Sequence, residues 1–276
     1  MKQLKDKISV ITGAASGFGR ELAICCAREG MHLVLTDVDE KGLQDTVGLL
    51  PESTRTLALK CDVARAEQVE QVAIKTFERF GAAHLLFNNA GVVLAGPLWA
   101  STLQDWEWVF GINVMGVAHG IRSFVPRMLE QKSACHIVNT ASRAGLVSVP
   151  GGGIYCASKH AVVAMSECLQ LELQAAGAQI GVSVLCPGFV NTGIAEAARN
   201  RPAELAATNP LGARFLSAGH DERIRDARFS AADIAEMTVE AVKAGRFYIL
   251  PHPETREQVE NRMRDILEEH NPRAGS

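Results

Sequence analysis

The sequence comprises 276 residues, of which 47% are hydrophobic and 21% are charged, and its formal net charge at pH 7 is −3. A chain of this size and composition can bury a substantial core, and because no linker or charge block interrupts residues 1–276, we expect one domain. The weak negative charge excludes a strongly basic surface for nucleic acid or anionic membrane, so small-molecule chemistry is favoured.

A glycine-rich turn lies near the N-terminus. The apolar run Ile8-Ser9-Val10-Ile11 predicts a strand, Thr12-Gly13-Ala14-Ala15-Ser16-Gly17-Phe18-Gly19 a turn, and residues 20–29 an amphipathic helix. Gly13 allows the tight turn, Gly17 lets the backbone approach a pyrophosphate, and Gly19 permits close packing of helix on strand. The helix N-terminus adds N–H groups and a positive dipole for an anion. A glycine turn can also be only a structural joint, but the strand, turn and helix order favours a dinucleotide site that includes Ser16 and Phe18.

The second predicted strand ends at Asp37. A carboxylate at this distance from the glycines can accept hydrogen bonds from a ribose 2′-OH. It would repel the 2′-phosphate of NADP, and neither Ser16 nor Val38 offers a basic residue to offset that repulsion. The residues therefore favour NAD. The alternative is that Asp37, together with Asp39 and Glu40, caps the next helix.

Strands and helices alternate along the rest of the chain. Strands are predicted at residues 32–36, 57–61, 85–88, 136–140, 182–185 and 247–250. Helices are predicted at residues 66–80, 103–130, 154–176, 232–244 and 254–269. This alternation predicts an α/β fold with a doubly wound, Rossmann-like parallel sheet of about seven strands and helices on both faces. The carboxyl ends of the strands would bring the glycine turn, Asp37, Ser142 and Pro187 to one edge.

Tyr155 and Lys159 form a candidate proton-transfer group with Ser142. A separation of four residues on a helix places the phenol and the ammonium on one face. Because a nearby cation favours phenolate, we expect Lys159 to lower the pKa of Tyr155 from its ordinary value of about 10. Ser142 precedes the tyrosine by 13 positions and can hold a substrate oxygen while Tyr155 moves the proton. Alternatively, the pair simply shares a solvated helix face.

Residues 193–230 form a long connection near the C-terminal third of the chain. Its apolar and helix-breaking residues are Pro202, Leu205, Pro210, Leu211, Gly212, Phe215 and Leu216. Because long connections in compact domains are usually functional, we expect a lid that excludes water from the site. A structural surface insertion is the alternative.

The cysteines and the N-terminus indicate a reduced compartment. The seven cysteines show no CxxC motif and no Cys/His cluster at metal spacing, so we expect reduced packing residues and no metal. Residues 1–7 are polar, with neither a signal-peptide core nor an apolar run long enough to cross a bilayer. We therefore expect a cytoplasmic protein.

The order and spacing of these motifs resemble those of the short-chain dehydrogenase/reductase family over essentially the whole chain. The motifs that carry the resemblance are Thr12-Gly13 through Gly19, Asp62-Val63, Asn88-Asn89-Ala90-Gly91, Asn113, Ser142, Tyr155 with Lys159, and Pro187-Gly188 followed by Thr192. No one motif is decisive, but their common order makes coincidence improbable.

The resemblance implies a role for each of these residues. It makes Tyr155 the general acid/base, Ser142 the hydroxyl that orients the carbonyl, and Lys159 a contact to the nicotinamide ribose. Asn113 would open its helix locally and complete a water-linked proton relay, although a buried amide satisfied inside a helix is the alternative. The implied cofactor contacts are Asp62 and Val63 at the adenine, Asn89, Ala90 and Gly91 beside the cofactor, and Pro187, Gly188, Val190 and Thr192 at the nicotinamide carboxamide. Ordinary turn formation is the alternative for the asparagine and Pro-Gly motifs.

The expected activity is NAD(H)-dependent interconversion of a secondary alcohol and a ketone, on a hydrophobic or aromatic small molecule. Val93, Leu94, Val149 and Phe189 would enclose this substrate opposite the lid, while Arg143 either adds a polar or anionic contact or faces solvent. The resemblance also implies a homodimer or homotetramer. The alternatives are a regulatory protein that binds NAD without turnover, a reductase that prefers NADPH, and chemistry on a nucleotide sugar, which the glycine spacing disfavours.

Overall fold

Seven parallel strands form one sheet in the computed structural model, which describes residues 1–206 and 228–273. The strands are β1 (Ile8–Thr12), β2 (His32–Asp37), β3 (Thr56–Lys60), β4 (Leu85–Asn88), β5 (Cys135–Thr140), β6 (Ile180–Leu185) and β7 (Tyr248–Ile249). Their order across the sheet is β3-β2-β1-β4-β5-β6-β7, and each neighbouring pair is parallel. The predicted Rossmann-like parallel sheet is confirmed.

Within the described ranges, α-helices connect the strands. They are α1 (Gly17–Arg28), α2 (Glu40–Gly48), α3 (Ala66–Phe80), α4 (Leu103–Phe110), α5 (Gly116–Glu130), α6 (Gly153–Ala175), α7 (Ala231–Ala244) and α8 (Glu254–Leu267). The single helix predicted at residues 103–130 is divided in two, because a π-helical segment at Gly111–Met115 lies between α4 and α5. Periodicity alone does not reveal such an insertion, since the apolar pattern continues through it.

Side chains of the central strand β1 alternate between the two faces of the sheet. Ile11 packs in one cluster with Leu22 of α1 and Ile234 of α7. Its neighbour Val10 packs in a second cluster with Val69 of α3 and Phe124 of α5. Because successive strand residues point to opposite faces, both faces of the sheet are buried beneath helices, as the prediction required.

The direction of winding changes between β1 and β4. From β1 the chain continues to β2 on one side, whereas β4, which pairs with the other side of β1, leads on to β5. Such a reversal leaves a crevice outside the carboxyl ends of the two strands. Gly13 follows β1 and Asn89 follows β4, so two predicted motifs meet at this crevice.

The predicted lid at residues 193–230 is described in part. Gly193–Asn200 and Ala203–Leu205 form short 3₁₀ helices, while Pro210, Leu211, Gly212, Phe215 and Leu216 lie outside the described residues. The prediction of one domain over residues 1–276 stays a prediction. None of the helices in the described part of the chain is both long enough and apolar enough to cross a bilayer.

A buried chain of hydrogen bonds fixes α6 against the sheet. Asn88 at the end of β4 donates through Nδ2 to Oδ1 of Asn139 on β5 at 2.9 Å. Asn139 in turn donates to Oγ of Ser166 on α6 at 2.9 Å, and the three side chains are all buried. Buried side chains that are hydrogen-bonded to one another in this way favour one arrangement of their elements. These hydrogen bonds therefore help to set the position of α6, the helix that carries Tyr155 and Lys159.

Gly120→Ala should test this arrangement. A Cβ built at Gly120 on α5 would overlap Oδ1 of Asn88, so the amide must move and the hydrogen-bond chain must break. We expect the free energy of unfolding to fall by about 1 to 3 kcal/mol, measured by urea denaturation.

Gly48→Ala at the end of α2 is the matched control, because nothing lies within 4 Å of its Cβ position. It should change the free energy of unfolding by less than about 0.5 kcal/mol. Equal effects of the two substitutions would show that the buried amides tolerate displacement.

Candidate active site

A cleft of about 1510 Å³ opens at the carboxyl ends of the strands. The predicted site residues that line it are Gly13, Ser16, Gly17, Phe18, Asp37, Asp62, Val63, Asn89, Ala90, Gly91, Ser142, Tyr155, Lys159, Pro187, Gly188, Val190 and Thr192. Gly19 and Asn113 are not among the lining residues, and both are buried. Seventeen of the predicted site residues therefore line one cleft, and Gly19 and Asn113 are buried behind its lining.

The glycine turn requires the absence of side chains at two positions. Gly13 has a φ of 68°, in the left-handed region, and a Cβ there would lie 2.8 Å from the Cα of Ala90. A Cβ at Gly19 would overlap the Gly13 carbonyl. Gly19 therefore shapes the turn from beneath and allows α1 to begin next to β1. The N-terminus of α1 opens toward the cleft through Ser16, Gly17 and Phe18, which suits a phosphate.

Asp37 links β2 to the glycine turn. Its Oδ2 accepts a hydrogen bond from the Ala15 amide at 2.9 Å, and its Oδ1 accepts one from the Asp39 amide at 3.0 Å. Asp39, rather than Asp37, caps α2 by accepting from the Gly42 amide. Each oxygen of Asp37 keeps acceptor capacity, because a carboxylate has about four lone-pair sites. The carboxylate is therefore held in place and can still accept hydrogen bonds from a ligand in the cleft.

Asn89 forms the floor of the crevice between β1 and β4. Its side-chain amide donates to the Thr12 carbonyl at 3.0 Å, and its backbone amide donates to the Thr12 hydroxyl at 2.9 Å. The hydroxyl of Thr140 on β5 donates to Oδ1 of Asn89 at 3.3 Å. Asn89 thereby connects the ends of three strands, which is more than a strand-end turn requires.

Lys159 is buried at the carboxyl end of β5. Its side chain has 2% of its surface exposed, and Nζ donates to the Thr140 carbonyl at 2.9 Å. Burial lowers the pKa of Lys159 to about 8, since desolvation disfavours the charged form. A Cβ built at Gly91 would lie 3.3 Å from this Nζ and 3.3 Å from Oδ1 of Asn113. Both polar side chains therefore lie next to Gly91.

Tyr155 lies one helical turn before Lys159, and the Lys159 ammonium is 5.7 Å from the centre of its ring. The prediction that Lys159 lowers the tyrosine pKa is wrong for this arrangement. Burial raises the pKa of Tyr155 to about 12, and hydrogen bonding with the Ser142 side chain acts in the opposite direction. The physical reason is that burial removes the phenolate from water, and this desolvation outweighs the opposing hydrogen bond with Ser142. The phenol is therefore protonated at neutral pH.

Asn113 lies in the π-helical segment, where its side chain is fully buried. Its Oδ1 accepts from the Val92 amide at 2.8 Å. Its Nδ2 donates to the Val92 carbonyl at 2.9 Å and to Oγ of Ser158 at 3.0 Å. The local opening of the helix is thus present, as the resemblance implied. The amide ties the loop after β4 to α6, one residue before Lys159.

The other end of the cleft is mainly apolar. Its lining includes Val93, Leu94, Trp108, Val149, Phe189, Ile194 and Leu205. The Arg143 guanidinium, which also lines the cleft, lies 5.0 Å from the centre of the Phe189 ring. In residues 1–206 and 228–273, no three His, Cys, Asp or Glu side chains form a group that could hold a metal.

A buried ion pair supports this apolar end. Arg201 lies 2.8 Å from Asp105 of α4, with 11% and 5% of the two side chains exposed. The guanidinium also lies 4.9 Å from the centre of the Trp108 ring and donates to the Leu205 carbonyl at 2.7 Å. The hydrogen bond to Leu205 and the contact with the Trp108 ring offset part of the desolvation of the pair, although Nη2 of Arg201 has no hydrogen-bond partner among the described residues. The chain at residues 201–205 is therefore fastened to α4 at the wall of the cleft.

Several contributors to the site were missed at the sequence level. Thr140 and Ala15 act through backbone groups, which carry no residue-type signal. Ser158 precedes Lys159 directly, and its role depends on a contact with Asn113 across 45 residues. Asp105 has a sequence signal for capping, Thr102 followed three residues later by an acid, but none for its pairing with Arg201.

Comparisons with known proteins agree with this geometry. A family model for short chain dehydrogenases matches residues 7–203. A CLA biosynthesis dehydrogenase/reductase of Lactiplantibacillus plantarum is 36% identical over 274 residues, which are 97% of this chain and 95% of that protein. A 1-deoxy-11-beta-hydroxypentalenate dehydrogenase of Streptomyces exfoliatus is 34% identical over 266 residues, or 95% of this chain and 89% of that protein.

A solved structure gives the same result. The crystal structure of a short chain dehydrogenase/reductase from Burkholderia phymatum in complex with NAD matches with a TM-score of 0.96 and 48% identity, and the match covers 100% of this chain and 99% of that one. The resemblance indicated by the motifs is confirmed, and the chain belongs to the short-chain dehydrogenase/reductase family of oxidoreductases.

Proposed function

We propose that the protein is an NAD(H)-dependent oxidoreductase that interconverts a hydrophobic or aromatic secondary alcohol and its ketone. The observation that carries the proposal is the meeting of Ser142, Tyr155 and Lys159 with the glycine turn in one cleft. A matched acid–base set beside a dinucleotide-sized cleft supports turnover, whereas a sensor that only binds NAD has no use for it. The dehydrogenase names of the relatives support the same reaction class.

The choice of NAD is supported by Asp37. Its carboxylate lines the cleft beyond the glycine turn and is fixed by the Ala15 and Asp39 amides. A fixed acceptor suits a ribose 2′-OH and disfavours a 2′-phosphate, which weighs against a preference for NADPH. The relative from Burkholderia phymatum, with 48% identity, is in complex with NAD. Gly13, Gly17 and the N-terminus of α1 would hold the pyrophosphate, and Val190 and Thr192 the nicotinamide end.

The chain's own residues would manage the oxygen of the substrate. Bound nicotinamide would supply or accept the hydride. Tyr155 would donate a proton from Oη to the carbonyl oxygen during reduction and take it back during oxidation. Ser142 would hold that oxygen by a hydrogen bond. Lys159, which donates to the Thr140 carbonyl, would contact the cofactor ribose, and Asn113, which like Lys159 lies next to Gly91, would complete a water-linked proton relay.

The shape of the apolar end supports a hydrophobic substrate. Val93, Leu94, Val149 and Phe189 line the cleft, and Leu205 of the predicted lid lines it too. Burial of an apolar substrate here would also exclude water from the reacting carbon. Homo-oligomer formation remains a prediction, which the 90% and 83% exposure of the large side chains of Trp99 and Leu103 supports.

Tyr155→Phe tests the reaction. The wild type should reduce NAD with hydrophobic or aromatic secondary alcohols and be inactive on short polyols, as followed by absorbance of the reduced nicotinamide. The variant keeps the ring and loses the hydroxyl, so kcat should fall by about 10² to 10⁴-fold while the Kd for NADH changes little.

Tyr248→Phe is the matched control for this test. Tyr248 is the only other tyrosine of the sequence, and its hydroxyl donates to Glu167 at 2.6 Å, outside the cleft. It should keep wild-type kcat. Survival of turnover in Tyr155→Phe would remove the general acid/base from the proposal, and activity confined to polyols would remove the hydrophobic pocket.

Asp37→Ser tests the cofactor. The wild type should bind NADH about 10- to 100-fold more tightly than NADPH, because the carboxylate makes charge-assisted hydrogen bonds and repels a phosphate. Serine should abolish most of this preference, as measured by fluorescence titration of each nucleotide. Asp45→Ser changes the net charge equally at an exposed position of α2 and should leave the preference intact. Tighter binding of NADPH by the wild type would overturn the choice of NAD.

The pH profile tests the link between Ser142 and Tyr155. Alcohol oxidation needs the phenolate, and burial raises the pKa of Tyr155, so kcat/KM for oxidation should keep rising with pH through the alkaline range while ketone reduction declines. Because Ser142 lowers the pKa of Tyr155, Ser142→Ala should move the rise to higher pH. Ser148→Ala, at an exposed position outside the cleft, should leave the profile unchanged. An identical profile in both variants would argue against the interaction.

A further inference from the structure

His252 lies behind the loop at residues 187–192 and makes two hydrogen bonds to it. The residue follows β7 and has 4% of its surface exposed. The Gly188 amide donates to its Nδ1 at 3.0 Å, and its Nε2 lies 3.2 Å from the Phe189 carbonyl. Both ring nitrogens are therefore engaged by consecutive residues of one loop.

These contacts determine the protonation of the ring. A backbone amide can only donate, so Nδ1 must carry a lone pair, and Nε2 must carry the proton that it donates to the Phe189 carbonyl. The ring is neutral in this arrangement. Protonation at Nδ1 would place the new N–H of the ring against the N–H of Gly188 and break the hydrogen bond between them.

The surroundings of the ring favour the neutral form. Burial, Arg143 and Arg228 lower the pKa of His252 below its ordinary value, whereas Glu254 and the hydrogen bond to Phe189 raise it. The Phe229 ring meets the imidazole edge to face at 5.2 Å between centres. The Thr255 amide at the start of α8 donates to the His252 carbonyl at 3.1 Å. The imidazole is thus held from β7, α8 and the segment before α7.

The loop held by His252 connects the two halves of the site. Its Pro187 carbonyl accepts from the Arg143 amide at 2.8 Å and from the Ser142 hydroxyl at 3.4 Å. Its far end reaches the glycine turn, since a Cβ at Gly17 would lie 3.3 Å from Cβ of Thr192. A displacement of the loop would therefore affect both Ser142 and the surface next to α1.

We propose that His252 is a positioning residue whose neutral imidazole holds Gly188 and Phe189 in the conformation that binds the dinucleotide, and that its protonation weakens this binding. The dinucleotide itself rests on the proposed function. His252 does not line the cleft, so it acts through the loop and not on the reacting atoms. Affinity should be complete while the ring is neutral and should decrease as the pH falls through the pKa of His252, which burial holds below the ordinary histidine value of about 6.5.

The test uses the full chain with His252→Leu, which removes both hydrogen bonds, and His252→Asn, whose amide can accept from Gly188 and does not titrate. NADH binding is measured by fluorescence at pH 8 and pH 5.5, together with hydrogen exchange of the Gly188 amide without nucleotide. The leucine variant should raise the Kd for NADH about ten-fold at pH 8 and speed exchange at Gly188. The asparagine variant should bind close to the wild type at pH 8 and lose the wild-type weakening at pH 5.5.

His32→Leu is the matched control. His32 also accepts a backbone amide at Nδ1, from Arg55 at 3.3 Å, but it lies at the start of β2, away from the cleft. It should change neither the Kd for NADH nor exchange at Gly188.

The outcomes separate two kinds of failure. Wild-type affinity and slow Gly188 exchange in a folded His252→Leu variant would overturn the role of His252, as would a wild-type pH dependence retained in His252→Asn. Absence of nucleotide binding by the wild type would instead refute the proposed function, while exchange at Gly188 still reports whether His252 holds the loop.

Discussion

The buried hydrogen bond between Lys159 and the Thr140 carbonyl is the interaction on which the candidate site depends. It joins α6 to the carboxyl end of β5 by a charge that is almost completely removed from water. Such burial is costly unless the ammonium finds acceptors, so the helix can take few positions relative to the strand. With a pKa of about 8, the lysine is still mostly protonated at neutral pH. Its position determines that Tyr155, one turn earlier, faces the cleft.

Two polar networks place the same helix from other directions. Asn88, Asn139 and Ser166 connect its middle to β4 and β5. Asn113 connects its first turns, through Ser158, to the loop after β4. Because these amides are buried and hydrogen-bonded, each network would lose hydrogen bonds if the helix shifted. The position of Tyr155 is thus set by contacts that lie outside the cleft.

The elements and the cofactor end of the cleft could be predicted from the sequence because they depend on backbone requirements. Gly13 must adopt a positive φ, Gly19 must lack a side chain, and an acid must end β2. The direction of the Tyr155 pKa shift could not be predicted, because it depends on burial, which is a property of the assembled fold. The apolar pattern did not show the division of the helix at 103–130, because a π-helical insertion leaves that pattern almost unchanged; only the resemblance indicated a local opening, at Asn113.

The apolar end of the cleft depends on contacts between common residue types that lie far apart in the sequence. Asp105 and Arg201 are 96 positions apart and become a pair only when α4 and the chain after β6 meet beside Trp108. His252 reaches Gly188 across 64 positions. Aspartate, arginine and histidine are common in many roles, so their types alone give no indication of these contacts. Few other residue types can replace a glycine that must adopt a positive φ. Many different residue pairs can form a salt bridge at the wall of a cleft. The cofactor end of the cleft can therefore be recognised from a sequence motif, whereas the contacts at its apolar end can be recognised only in the folded structure.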